Sequence, residues 1–178
     1  MSVKTCVFAG AIALMAVTGF AGAAAAQQSK WCDDPNATDD QTISGCTADI
    51  QSGRFSGKNL AVKFSNRGLA YNDKGQTDRA IQDYDQAIRL NPNYANAFYN
   101  RGNAYDDKGQ TDRAIQDYDQ AIKLNPNHAN AFNNRGLAYK NKGQTDRAIQ
   151  DFDQAIRLNP NFTLAINNRA EAIAKKNQ

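Results

Sequence analysis

The regular feature of this chain is an apolar stripe that recurs at helical spacing. Small and aromatic side chains fall four and then three residues apart, as in Phe64, Gly68 and Tyr71. A second stripe of the same kind follows after a short polar stretch and includes Ala80 and Tyr84. Spacings of three and four residues place side chains on one face of an α-helix. The pattern therefore predicts pairs of amphipathic helices and an all-α fold.

The predicted helix pair repeats with a period of 34 residues. The block KGQTDRAIQD occurs three times, starting at Lys74, Lys108 and Lys142. A glycine follows the first helix of each pair and a proline follows the second, at Gly75, Gly109 and Gly143 and at Pro92, Pro126 and Pro160. Glycine accepts the left-handed backbone that ends a helix, and proline cannot continue one. A fixed period of this length is typical of stacked helical hairpins.

Residues at fixed places in the period resemble the tetratricopeptide repeat family. The family pattern of an aromatic residue, Gly, Tyr, Ala, an aromatic residue, Ala and Pro is matched in the first repeat by Phe64, Gly68, Tyr71, Ala80, Tyr84, Ala87 and Pro92. The resemblance implies a right-handed α-solenoid of three hairpins over residues 61–94, 95–128 and 129–162. Residues 163–178 are expected to form a C-terminal capping helix. Residues 27–60 are expected to form an N-terminal capping segment with a helix over 42–51 and a loop over 52–59.

One departure from the family pattern recurs in every repeat. Arginine stands where the family usually has leucine, at Arg67, Arg101 and Arg135. We expect the stem of each arginine to be buried, with an acidic residue on a second helix as its partner. A second set of charges is spaced four residues apart along each second helix, at Asp85–Arg89, Asp119–Lys123 and Asp153–Arg157. We expect these to be ordinary exposed pairs within one helix.

The first residues differ in composition from the repeats. After Lys4, residues 5–26 carry no charge and end in three alanines followed by Gln27. A positive start, an apolar middle and small residues at the end are typical of a secretory signal peptide. We expect residues 1–26 to be removed by cleavage after Ala26, which leaves a periplasmic or secreted protein that does not insert into a membrane. The alternative is that the segment stays as an anchor helix, because it is long enough to span a bilayer.

Export would also decide the state of the cysteines. Removal of the leader leaves Cys32 and Cys46, an even pair in an oxidising compartment. We therefore expect a disulfide that links a short helical N-terminal segment to its first helix. Two free thiols are the alternative.

Charge and side-chain chemistry argue against several functions. The net charge is only +3, with acids and bases interspersed, which does not favour nucleic-acid binding. His128 is the single histidine and lies in a hairpin connection, and no serine or cysteine has a base in view. The acids Asp106, Asp107 and Asp112 are too few to predict a cation site. We expect no catalytic residues, no cofactor and no metal.

The family resemblance implies that a peptide lies in a concave groove lined by the first helix of each pair. Asparagine recurs there at position 6, at Asn66, Asn100, Asn134 and Asn168. An amide offers both a donor and an acceptor, so a row of them could hold an extended backbone; the alternative is that each bonds a neighbouring helix. The candidate site comprises Asn66, Asn96, Tyr99, Asn100, Asn103, Asn130, Asn133, Asn134 and Asn168. We expect Tyr99 to be the aromatic anchor.

Some family members use a clamp for the terminal carboxylate of cytosolic heat-shock chaperones. The clamp requires lysine and asparagine at positions 5 and 9 of one repeat, where this chain has Ser65 and Leu69. It also requires lysine and arginine in a later repeat, where this chain has Asn130 and Asn134. Only Asn100 fits, so we expect no such clamp.

Differences between the repeats collect at the groove positions. The stretch from Gly75 to Ile88 recurs unchanged in the other repeats, except that Phe152 replaces Tyr84 in the third. This distribution predicts that the first helices face a partner. We expect a non-catalytic adaptor of the cell envelope that binds an extended segment of another protein, as a monomer or weak homo-oligomer. Self-assembly through the repeat ends or convex faces is the alternative.

Overall fold

The computed structural model describes residues 29–177, and these residues form helices and turns. The helices are α1 (Asp39–Gln51), α2 (Gly57–Asp73), α3 (Thr77–Leu90), α4 (Ala95–Asp107), α5 (Thr111–Leu124), α6 (Ala129–Asn141), α7 (Thr145–Leu158) and α8 (Thr163–Lys176). The predicted leader and its cleavage site lie outside the described residues. Among the helices that are described, none has the length and hydrophobicity needed to cross a membrane.

The helices stack as hairpins in chain order. Helix α2 packs on α3, α4 on α5 and α6 on α7, and each hairpin contacts the next one through α3–α4 and α5–α6. The first helices also contact one another along the stack, from α2 through α4 and α6 to α8. We call α2, α4, α6 and α8 the A helices and α3, α5 and α7 the B helices. The predicted α-solenoid of three hairpins with a C-terminal helix is confirmed.

A glycine in each A helix allows the two helices of a hairpin to approach closely. A Cβ atom added to Gly102 would lie 2.7 Å from Cε1 of Tyr118 and 3.3 Å from the carbonyl oxygen of Ala114. The ring of Tyr118 is 1% exposed, so it is packed inside the hairpin. Any larger residue at this position would separate the helices.

A second glycine ends each A helix as predicted. Gly75 has φ of +70°, a left-handed conformation that favours glycine. Its N–H donates to the carbonyl of Asn72 at 2.8 Å, and the next N–H, that of Gln76, donates to the carbonyl of Tyr71 at 2.8 Å. These bonds satisfy carbonyls that the end of the helix leaves free.

The N-terminal segment differs from the prediction at both of its boundaries. Helix α1 begins at Asp39 rather than at residue 42, because Thr38 and Gln41 form a capping box in which each side chain accepts a hydrogen bond from the other's backbone N–H. Helix α2 begins at Gly57, so the predicted loop over 52–59 ends at residue 56. The disulfide between Cys32 and Cys46 is present, as predicted.

The recurring arginines of the A helices join successive hairpins. Arg101 donates from Nε to Asp117 at 2.8 Å and from Nη2 to the same carboxylate at 2.7 Å, within its own hairpin. Its third nitrogen, Nη1, donates to Asp85 of the preceding hairpin at 2.5 Å. Arg135 makes the same contacts with Asp151 and Asp119. The expected acidic partner on a second helix is therefore confirmed.

Asp85 and its equivalents do not pair within their own helix. The expected pairs with Arg89, Lys123 and Arg157 are wrong. Instead Asp85, Asp119 and Asp153 contact the arginine 16 residues further on, at Arg101, Arg135 and Arg169. The reason is that each B helix packs on the next A helix, and the arginine stem lies between them with three donors in a fixed plane. We call this set of contacts the arginine ladder.

A second ladder of charges links the turns on the outside of the stack. Lys74 lies 2.8 Å from Asp40, and the equivalent pairs are Lys108–Asp78, Lys142–Asp112 and Lys176–Asp146. Asp112, considered above as part of an acidic turn, is thus paired. The two ladders explain why the block KGQTDRAIQD recurs unchanged. Its lysine and both of its aspartates form ladder contacts, and so does the aspartate that follows Tyr84.

Candidate peptide-binding face

The groove positions of neighbouring A helices form one continuous surface. Hydrogen bonds join α2 to α4, α4 to α6 and α6 to α8, through Asn72–Asp107, Asn103–Asn134, Asn133–Asn168 and Lys140–Glu171. Each of these residues occupies position 5, 6, 9, 12 or 13 of its repeat. We call this surface the A face.

The asparagine row is partly engaged within the protein. The amide of Asn134 donates to Asn103 Oδ1 at 2.9 Å and to the Tyr99 hydroxyl at 3.2 Å. Asn168 donates to Asn133 Oδ1 at 3.0 Å. Both asparagines therefore bond a neighbouring helix, which is the alternative that the sequence left open to peptide binding. Among the described residues, Asn100 is the member of the row whose side chain makes no hydrogen bond.

The first asparagine of the row holds a main-chain carbonyl. Asn66 Nδ2 donates to the backbone oxygen of Cys32 at 2.9 Å and to Asp33 Oδ1 at 3.3 Å. The disulfide fixes Cys32 to α1, and Lys63 of α2 pairs with Asp33 on the other side. The N-terminal segment thus covers the A face at Asn66. Asn100 is the next asparagine along the row.

The other predicted site residues differ in their accessibility. Asn96 and Asn130 are exposed at the start of α4 and α6. Asn133 is only 3% exposed, so it supports the surface through its neighbours and cannot contact a ligand directly. Tyr99 is half-buried, and its ring lies 4.7 Å from the ring of His128 and 6.1 Å from that of Tyr118.

His128 packs against Tyr99, although its place in the sequence indicated only a hairpin connection. Its Nδ1 accepts the N–H of Ala131 at 3.4 Å, at the start of α6. Burial lowers the pKa of the imidazole below its ordinary 6.5, so the ring is neutral at pH 7. A neutral ring can accept this hydrogen bond while it packs against Tyr99 at a tilt of 40°, whereas the charged form could not accept it.

Negative charge without a partner is concentrated on the A face and on the adjoining N-terminal segment. Within residues 29–177, five carboxylates make no ion pair, those of Asp34, Asp39, Asp73, Asp106 and Asp107. Burial and the nearby Asp39 raise the pKa of Asp73. Burial and the nearby Asp107 raise the pKa of Asp106. Sequence reasoning missed this cluster because the acids come from three separate elements.

A cavity of about 280 Å³ lies between the N-terminal segment and α2. Its lining includes Asp34, Asp39, Asp73, Asn66 and Leu69. Leu69 is 47% exposed and contributes an apolar side chain to the lining. In the part of the chain that the structure describes, no three His, Cys, Asp or Glu side chains are grouped so as to hold a metal ion.

Two family models match the chain. The model described as TPR repeat matches residues 68–107 and 102–143, and the model described as Tetratricopeptide repeat matches residues 129–162. Together they cover more than half of the sequence. The chain belongs to the tetratricopeptide repeat family. No curated protein matches this TPR chain.

Solved TPR structures resemble it in fold. The crystal structure of MamA is 26% identical, with a TM-score of 0.70 over 78% of this chain and 79% of MamA. The second TPR domain of human RPAP3, in complex with the HSP70 peptide SGPTIEEVD, is 29% identical, with a TM-score of 0.61 over 63% of this chain and 93% of that domain. The first TPR of Spaghetti (RPAP3), bound to the HSP90 peptide SRMEEVD, is 24% identical, with a TM-score of 0.67 over 71% of this chain and all of that one.

The clamp positions of this TPR chain carry no cations in the structure. Ser65 is 3% exposed, and Leu69 presents an apolar side chain where the clamp has an amide. Asn134 is committed to Asn103 and Tyr99. This part of the A face therefore offers amides, an apolar side chain and carboxylates.

Proposed function

We propose that this TPR protein is a non-catalytic adaptor that holds an extended segment of another protein on its A face. The observation that carries the proposal is the bond from Asn66 to the carbonyl of Cys32, since the first asparagine of the row already binds a main chain. Asn100 stands one repeat further on and has no side-chain bond among the described residues. A bound strand that continued along the row would meet this amide next.

The similar structures support the class of ligand. The two RPAP3 domains carry short peptides, and TPR domains are protein-interaction folds. Here Tyr99 provides an aromatic surface next to Asn100, and aromatic side chains contribute much of the binding energy at interfaces.

The test is a peptide library displayed against residues 27–178, followed by affinity measurements on the selected peptides. Asn100→Ala is expected to weaken binding by about 10-fold, because it removes one hydrogen-bonding amide. Asn93→Ala, in the exposed turn between α3 and α4, is the matched control and is expected to bind as the wild type does. Equal affinities for all three proteins would place the binding site elsewhere.

We also propose that the adaptor works in the cell envelope or outside the cell. The support is the uncharged stretch over residues 5–26 and its small residues before Gln27. Expression of the full chain with analysis of the exported product tests the proposal. A mature protein that begins at Gln27 is expected, and a chain that keeps residues 1–26 would show a retained anchor instead.

Self-assembly remains the second candidate, and one observation favours it. Leu164 is 64% exposed and Ile166 is 42% exposed on α8, so the C-terminal helix is less polar than a solvating cap. Sedimentation of the mature protein across a range of concentrations separates the two functions. A constant monomer mass supports the adaptor, and a mass that rises with concentration supports assembly.

A further inference from the structure

Among the described residues, the carboxylates that lack an ion-pair partner are absent from the B helices. Among the described residues, the five unpaired carboxylates lie on the A helices and the N-terminal segment. The B helices carry unpaired cations instead, at Arg79, Arg89, Arg113, Lys123, Arg147 and Arg157. The other unpaired cations among the described residues are Lys30 in the N-terminal segment, Lys58 at the start of α2 and Lys175 at the end of α8. The chain has a net charge of +3, so this arrangement does not follow from composition. The A face at α2 and α4 is therefore locally negative on a protein that is positive overall.

The unpaired acids form a row along the open part of the A face. Asp34, Asp39 and Asp73 surround the cavity beside Leu69. Asp107 accepts a hydrogen bond from Asn72 at 3.0 Å, which connects the acids of α2 with those of α4, and Asp106 is its neighbour in sequence. The oxygen of the same amide, Asn72 Oδ1, is buried and accepts no hydrogen bond from the described residues.

Like charges this close repel one another and weaken the fold unless a cation offsets them. The arginine and lysine ladders pair cations with ten other acids, and none of these cations forms an ion pair with an acid of this row.

 The ten ladder acids are Asp83, Asp85, Asp117, Asp119, Asp151, Asp153, Asp40, Asp78, Asp112 and Asp146. Burial raises the pKa values of Asp73 and Asp106, the neighbouring Asp39 and Asp107 raise them further, and no ion pair offsets these effects.

We infer that the occupant of the A face is an extended polypeptide segment with at least two lysine or arginine side chains flanking an apolar residue. The basic side chains pair with the row of acids, and the apolar residue contacts Leu69 at the cavity. This inference rests on the proposed function, and it names the charge of the partner. It also separates this chain from the RPAP3 domains, whose peptides end in acidic residues.

The experiment compares three peptides of one length that differ only at two positions, with lysine, glutamine or glutamate there. Affinity for residues 27–178 is measured by calorimetry at low and high salt. The lysine peptide is expected to bind about 10-fold more tightly than the glutamine peptide at low salt, and the advantage is expected to shrink at high salt. The glutamate peptide is expected to bind most weakly.

A charge variant locates the effect. Asp73→Asn/Asp106→Asn is expected to reduce the preference for lysine about 5-fold and to leave the affinity for the glutamine peptide unchanged. Asp112→Asn/Asp146→Asn makes the same change of charge on the outer turns and is the matched control. A preference that survives the first variant, or that falls equally in the control, would overturn the inference.

The outcomes also distinguish the two proposals. If all three peptides bind with the same affinity, the partner is not selected by charge and the inference fails, while the proposed function stands. If no peptide binds, the proposed function fails and the inference fails with it. Binding of the glutamate peptide in preference to the lysine peptide would overturn the inference alone.

Discussion

Arg101 and Asp117 form a two-pronged ion pair inside one hairpin, with nitrogen-to-oxygen distances of 2.8 Å and 2.7 Å. The arginine side chain is 19% exposed and the carboxylate 7% exposed, so the pair is largely removed from water. The remaining guanidinium nitrogen reaches Asp85 of the preceding hairpin. One side chain therefore contributes to the interior of one repeat and to its junction with the repeat before it.

Replacement of Arg101 with leucine, the usual family residue at this position, is expected to destabilise the protein by about 3 kcal/mol. The reason is that Asp117 would remain buried without its counter-charge. Chemical denaturation of the wild type and of Arg101→Leu measures the difference.

Two controls separate the buried charge from the loss of an arginine in general. Arg169→Leu removes the same residue type where the ion pair has only one carboxylate, Asp153, and where the arginine is 42% exposed. It is expected to cost less than about 1 kcal/mol. Arg101→Leu/Asp117→Ala is expected to recover most of the stability, and a double variant as unstable as the single one would contradict the explanation.

Replacement of Gly102 with alanine is expected to cost about 1–3 kcal/mol, because the new methyl group overlaps the ring of Tyr118 in a packed interior. The thermal denaturation midpoint is the measurement. Gly109→Asn is the control, since nothing lies within 4 Å of that glycine and asparagine tolerates its φ of +69°. Similar losses in the two variants would mean that close approach is not the reason for the glycine.

The stability of the protein is expected to fall as the pH drops below about 6.5. Burial lowers the pKa of His128, so the folded state binds fewer protons than the unfolded state in this range. The stabilising contribution is complete above the unfolded pKa and is lost as the pH falls through the folded pKa. Denaturation at about pH 7.5 and about pH 5 measures it.

The chain supplies its own control for this histidine. Phe162 and Tyr94 occupy the same place in the other repeats, so His128→Phe keeps an aromatic ring and removes the titration. The variant is expected to lose most of the pH dependence between those two values. An unchanged dependence would assign it to other groups.

Reduction of the Cys32–Cys46 disulfide is expected to lower stability by about 3 kcal/mol, the value for a loop of about 15 residues in the chain-entropy model. It is also expected to release the Cys32 carbonyl from Asn66. Denaturation with and without reductant measures the first effect. Cys32→Ser/Cys46→Ser is the control and should not respond to reductant; two alkylatable thiols in the untreated mature protein would exclude the bond.

Most of the fold could be predicted because each element depends on local signals. Gly75 ends a helix through its own backbone conformation, and Gly68 faces an aromatic ring whose place in the repeat is fixed. The acidic partner of Arg67 could be expected because a buried guanidinium requires one, and Asp83 fills that role at 2.7 Å. These inferences need only the residues of one hairpin.

The contacts between repeats could not be predicted in the same way. Asp85 lies four residues before Arg89 and 16 residues before Arg101, and only the packing of α3 on α4 selects the second partner. The partners of the asparagine row could not be predicted either, because the amide of Asn134 can bond a ligand or Asn103. In both cases the sequence offers two partners of equal chemistry, and the distance between helices decides.

The arginine ladder has a consequence for how the stack unfolds. Each guanidinium that is shared by two hairpins loses one of its carboxylate partners when the preceding hairpin opens, as Arg101 would lose Asp85 and keep Asp117. In a repeat protein, cooperativity grows with the free energy of the junctions between repeats. Local fraying of one hairpin is therefore expected to break contacts with its neighbour as well as its own, and we expect the three repeats to unfold together.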